Sequence, residues 1–163
     1  METQERIILK SHELFMLYGI RSVSMDEIAN HLGMSKKTIY QYFKDKDSLV
    51  EGVINIEIEM HQDEFSKYAS ISENAIHEIF LTLDTVQEML KHMNPSVMFD
   101  LQKYHTTAFE KFRTHKNTFF YDIIKANIER GKQEGLFRAD IDVDVLTRYR
   151  LANMFLMFDF EHF

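Results

Sequence analysis

The chain is expected to be all-α, and three observations lead there. One proline and five glycines in 163 residues leave few breaks in the backbone, so its hydrogen bonds are carried by uninterrupted helices. Apolar side chains recur three and four positions apart, the spacing of one helix face. Capping residues and glycines stand where those periodic stretches begin and stop. Cysteine is absent, which excludes disulfides, thiol nucleophiles and thiolate metal sites.

A first helix is predicted over Gln4 to Tyr18, with Ile7, Ile8, Leu14, Phe15 and Tyr18 as its buried stripe and Gly19 ending it. The strongest signals follow, in residues 24–46. Ser24 and Glu27 form a capping box, in which each side chain satisfies a backbone N–H of the other residue. Met25, Ile28, Ala29 and Leu32 then give one apolar face, and Gly33 supplies the left-handed residue that stops the helix. Ser35 caps the next helix, in which Ile39 and Phe43 sit one turn apart and face inward.

At about 100° per residue, Lys37 and Gln41 then point most directly outward. Lys36 and Tyr40 flank that crest on one side, Thr38 and Tyr42 on the other. Two helices joined by a tight turn, the second with base-reading groups on its crest and phosphate-binding groups on its rims, have the layout of a helix that enters the major groove of DNA. A solvated surface hairpin accounts for two lysines, but not for two exposed tyrosines and a threonine on so short a helix.

A long helix is expected from Lys46 to about Tyr68. Ser72 is expected to open another, through Ile76, Ile79, Phe80, Leu83, Val86 and Leu90. Asn94 and Pro95 read as cap and first turn of the next. A further helix is predicted over about Thr118 to Gly131, and a loop from Gly135 leads to a last helix from Val143, capped by Asp142. The organisation is a three-helix helix-turn-helix head over residues 1–50 and a helical body over residues 51–163.

The net charge of −7 argues against a protein that coats nucleic acid, but the charge is uneven. Residues 1–50 are neutral overall, residues 51–163 carry the whole deficit, and Gly33–Lys46 holds four lysines against one aspartate. A basic patch on an acidic body suits a sequence-specific binder. The pairs Glu57/His61, Glu73/His77 and Glu88/His92 have i,i+4 spacing and are expected to be surface pairs rather than a metal site. Asp140, Asp142 and Asp144 start like a calcium loop, but Val145 and Leu151 stand where its glycine and glutamate belong. No metal and no cofactor are expected.

No apolar run approaches membrane-spanning length, and Thr3 to Lys10 is too mixed for a signal segment, so a cytoplasmic protein is expected. An enzyme built on a helical bundle is the competing class, yet phosphate loop, dinucleotide fingerprint and nucleophile elbow are all missing. A non-catalytic helical protein-interaction module is the other alternative.

Gly33, Ser35, Thr38, Tyr40, Tyr42, Phe43, Lys46 and Leu49, with Phe15, Gly19, Ser24, Ile28 and Ala29 upstream, resemble the DNA-binding head of the TetR family of bacterial transcriptional regulators. The likeness is strong over about residues 5–55 and beyond them rests on helical character alone. It implies that Lys36, Lys37 and Tyr40 face bases or nearby backbone and that Thr38, Tyr42 and Lys46 hold phosphates, while Gln41 is a candidate DNA contact by its place on the crest. Lys37 stands where many relatives have a small residue.

The resemblance further implies a homodimer on a near-palindromic double-stranded operator, acting as a ligand-responsive repressor. Its body would house a partly hydrophobic small-molecule effector, with Met98, Phe99, Tyr104, His105, Phe109 and Phe112 as candidate lining. Family members continue through further helices where this chain stops at Phe163, so its dimerisation region is expected to be incomplete at the C-terminus.

Overall fold

The computed structural model describes residues 2–156. The C-terminal stretch on which the expected incompleteness of the dimerisation region turns lies outside the described residues. Among the described residues nine α-helices follow in order: α1 Thr3–Tyr18, α2 Met25–Leu32, α3 Lys36–Tyr40, α4 Lys46–Ile71, α5 Ala75–His92, α6 Ser96–Tyr104, α7 Thr106–His115, α8 Tyr121–Gln133 and α9 Val143–Phe155. A π-helical turn, Lys116–Phe120, joins α7 to α8, and no strand occurs among the described residues. No described helix is long and apolar enough to cross a membrane.

Two compact units form. The first joins Met1–Glu57 to His92–Phe112, and the second joins Ile58–Lys91 to Arg113–Phe163. The sequence segments 1–50 and 51–163 therefore do not coincide with the packing units, because α6 and most of α7 pack with the head.

In the first unit Ile7, Ile8, Leu14 and Phe15 of α1 close over Ile28 and Ala29 of α2, Ile39 and Phe43, and Leu49, Val50 and Val53 of α4. Tyr18 is exposed, which corrects its place in the expected stripe. Val97, Met98 and Leu101 of α6 are also buried here. The chain entering α6 caps the end of α1, with Asn94 N donating to Met16 O at 2.7 Å and Asn94 Nδ2 to Leu17 O at 3.2 Å. The buried Asp100 carboxylate accepts from Arg21 N at 2.9 Å, and Arg21 Nη1 donates to Tyr104 Oη at 3.1 Å.

The second unit centres on Phe65 and Tyr68 of α4, Phe120, Ile124 and Ile128, and Leu151 of α9. Its α5 begins at Ala75 rather than Ser72: Asn74 Oδ1 accepts from Ile76 N and His77 N at 3.0 and 2.9 Å. Ser72 is buried and serves Arg130, accepting from Nη1 on its hydroxyl and from Nη2 on its carbonyl. Arg130 also reaches Glu78, a carboxylate only 5% exposed, so the turn between α4 and α5 is pinned to α8. Along α5, Ile76, Phe80 and Leu83 are exposed.

At Gly131 an added Cβ would stand 2.1 Å from the Phe137 ring, so only glycine allows the chain after α8 to fold back there. Asp142 caps α9 as expected, accepting from Val145 N at 3.0 Å.

His61 and His115 also lie inside this unit, 8% and 5% exposed, and this corrects the expectation that His61 pairs with Glu57 on the surface. Glu57 binds His12 instead. The two imidazoles stack with centroids 5.8 Å apart, and His115 stacks on Phe119 at 4.9 Å. Burial, then the neighbouring His61, lowers the His115 pKa from 6.5 to about 4. The folded state therefore keeps His115 neutral where the unfolded chain binds a proton. Its contribution to stability is complete above pH 6.5 and is lost as the pH falls from 6.5 towards 4. Denaturant midpoints measured across that range should fall for the wild type and fall less for His115→Phe; parallel curves would remove His115 as the cause.

Candidate nucleic-acid interface

The presented surface is built by local signals. Glu27 N donates to Ser24 Oγ at 3.2 Å while Ser24 N donates to Glu27 Oε2 at 2.6 Å, which closes the capping box. The bond from the Ser24 N–H, the largest cause, holds the Glu27 carboxyl below its ordinary value. Gly33 takes φ 63°, the left-handed conformation, so the helix stops and the chain turns. Met34 N then returns to Ala29 O at 3.0 Å. Ser35 Oγ accepts from Thr38 N at 3.1 Å and lies 2.9 Å from Thr38 Oγ1, so Thr38 is half-buried with its hydroxyl already engaged.

Helix α3 is short, but the turn continues beyond it through Gln41 N to Lys37 O at 3.2 Å and Phe43 N to Ile39 O at 3.0 Å. Ile39 is 0% exposed and Phe43 is buried, which fixes the rotation of this segment about its axis. Lys37 and Gln41 are consequently exposed on the opposite face, beside Tyr40 and Tyr42. Lys36 Nζ lies 2.9 Å from Asp26 Oδ2 at the start of α2, and this bond raises its pKa. The structure thus brings Lys36, Lys37, Tyr40, Gln41 and Tyr42 onto one exposed surface.

Lys46 is placed differently. Its ammonium donates to Ile20 O at 2.5 Å and to Val23 O at 2.6 Å, bracing the turn between α1 and α2, with one N–H left over. Burial pushes its pKa down. Replacing Lys46 by methionine should leave two turn carbonyls without a partner and lower stability by about 1–3 kcal/mol. An unchanged denaturation midpoint, with a shallower salt dependence of duplex binding, would instead make Lys46 a phosphate contact.

Of the residues expected to line a pocket, Tyr104 and His105 share a shallow cleft with Asp47, Glu51, Thr106, Thr107 and Ala108. His105 Nδ1 lies 2.6 Å from Asp47 Oδ1. Met98 is buried in the core, Phe99 and Tyr104 are exposed and meet edge to face at 6.4 Å, and Phe109 and Phe112 are half-buried. Sequence reasoning missed Asp100, the buried carboxylate on the head, and the stacked pair His61 and His115. The i,i+4 spacing of Glu57 and His61 was visible, but it pointed to the surface.

The family model described as "Bacterial regulatory proteins, tetR family" matches residues 7–53. The uncharacterized HTH-type transcriptional regulator YvaF of Bacillus subtilis (strain 168) is 28% identical over 162 residues, covering 97% of this chain and 82% of that protein. The HTH-type transcriptional repressor KstR2 of Rhodococcus jostii (strain RHA1) is 28% identical over 143 residues, covering 83% of this chain and 68% of that one. Among solved structures, a transcriptional regulator from Saccharomonospora viridis in complex with choline superposes with a TM-score of 0.74 at 19% identity. That superposition covers 93% of this chain and 80% of the other.

Proposed function

We propose that the chain, whose residues 7–53 match the model of the TetR family of bacterial regulatory proteins, is an effector-responsive repressor of that family that binds a near-palindromic operator as a homodimer. The observation that carries this is the exposed surface of Lys36, Lys37, Tyr40, Gln41 and Tyr42 on a segment whose rotation is set by buried Ile39 and Phe43. Lys37 and Gln41 read base edges, Lys36 and Tyr40 touch bases or nearby backbone, and Thr38 and Tyr42 position the segment on phosphates. Lys46 holds the turn that presents them. Residues 1–50 perform the DNA binding, and residues 51–163 perform effector binding and dimerisation.

A dimer sets two such segments in successive major grooves, about 34–36 Å apart. Effector in the body favours one of two head separations and shifts the population away from the DNA-binding one. The bonds from Asn94 and Asp100 to the end of α1 and to Arg21 are where movement of α6 reaches the head. The protein is not an enzyme in this reading, and it works in the cytoplasm, where its operator is.

The test is duplex binding to DNA from the protein's own upstream region against a scrambled duplex, across a salt series. Preferential binding with a steep loss of affinity as salt rises supports the reading. Equal, weak binding to both duplexes, from a chain shown to be dimeric, would sink it. For the switching step, a crosslink that fixes the head separation should abolish release by effector; release that persists would overturn that step.

A further inference from the structure

His115 is a buried titratable group that neither the DNA-facing surface nor the packing of the head uses. It is 5% exposed, and its Nε2 has no hydrogen-bond partner among the described residues. A buried polar atom left in that state is destabilising, and native proteins keep few of them unless something else occupies the bond.

The backbone beside it is also unusual. His115 immediately precedes the π-helical turn Lys116–Phe120. Such turns are rare and concentrate at functional sites. The wider i→i+5 turn brings two successive side chains over the same neighbour, where an α-helix would carry the second one away. Phe119 therefore stacks on the His115 ring at 4.9 Å and 14°, while Phe120 meets it edge-on at 5.2 Å. From α4, His61 stacks on the same imidazole at 5.8 Å, and Phe65 meets Phe120 at 5.1 Å. The result is a shell of rings around one imidazole nitrogen with an open valence.

We propose that His115 Nε2 is the polar anchor for an uncharged, largely apolar effector carrying one hydroxyl-type hydrogen-bonding group, with its apolar part held by His61, Phe65, Phe119 and Phe120. The proposal rests on the reading of the body as an effector site and names the chemical class that site takes. The polarity follows from the surroundings: aromatic faces accept apolar matter, and one nitrogen accepts or donates one hydrogen bond. No carboxylate pairs with His115 among the described residues, and its ring is neutral at pH 7, so an anion seated there would be desolvated without a countercharge. A hydrocarbon of the same size would leave Nε2 as unsatisfied as before.

Phenol, toluene and benzoate share one ring and separate these cases. With the full chain labelled with ¹⁵N in its histidines, each probe is titrated at pH 7 while the imidazole resonances are followed, and operator affinity is measured in the same samples. Phenol is expected to shift the His115 Nε2 resonance and to bind about tenfold tighter than toluene or benzoate. His115→Phe should erase that preference, and His115→Gln, which keeps a hydrogen-bonding group, should retain part of it; the wild-type spectrum decides the matter if either variant fails to fold. Equal or tighter binding of toluene or benzoate overturns the proposal. So does a His115 resonance that no probe moves, which would leave a buried water on Nε2. If phenol shifts His115 and operator affinity stays constant, the site stands and the effector-responsive reading falls. If operator binding is normal and no probe reaches His115, the site falls alone.

Discussion

Replacing Lys37 by alanine is expected to weaken binding to the operator by about 1–3 kcal/mol and to relax the preference for one base pair. Lys37 lies on the crest of the segment, exposed, and the rotation that puts it there is imposed by Ile39 at 0% exposure on the opposite side. Its side chain is long enough to reach a base edge from that position. Competition between the operator and single-base-pair variants separates the two ways a lysine can act. A base contact loses discrimination at one position and little elsewhere. A phosphate contact weakens all duplexes alike and lowers the salt slope by about one. Uniform weakening would therefore move Lys37 from the crest to the rim of the interface.

The second large effect is expected at Phe15. It is 1% exposed on α1, in the core of the head, with the Lys46 ammonium 5.8 Å from its ring. Truncation to alanine removes a whole ring from a site whose neighbours are themselves buried, and about 3–5 kcal/mol of stability should go with it. Total stability of a domain is about 5–15 kcal/mol, so the variant should populate an unfolded head and lose operator affinity without any DNA-facing group having changed. Phe15→Leu keeps most of the apolar volume and should retain binding at a smaller cost in stability. Wild-type denaturation behaviour in Phe15→Ala would show that the head does not depend on this ring.

The parts of the protein that were legible in the sequence are those whose cause is local. The capping box of Ser24 and Glu27, the left-handed Gly33, the Ser35 cap and the Asp142 cap each satisfy backbone groups within a few residues, so chain order states the partners. The exposed face of the segment 36–43 follows from the spacing of Ile39 and Phe43 alone. The all-α class and the placing of Lys36, Lys37, Tyr40, Gln41 and Tyr42 on one surface therefore come from the sequence by itself.

What only the tertiary structure decided depends on pairs far apart in the chain. Lys46 is spent on carbonyls more than twenty residues earlier, Asp100 on Arg21, and Arg130 on Ser72 and Glu78. No periodicity encodes such partners. The start of α5 moved to Ala75 because the Asn74 side chain caps it, while Ser72 was drawn into the Arg130 network. The exposure of Phe80 and Leu83 along α5 was equally hidden, because spacing identifies a helix's apolar face without saying whether anything covers it. The burial of His61 and His115 is the clearest case. Their separation in sequence hides the stacking, and the π turn that aligns Phe119 and Phe120 with His115 breaks the 3.6-residue period on which a sequence-based reading depends.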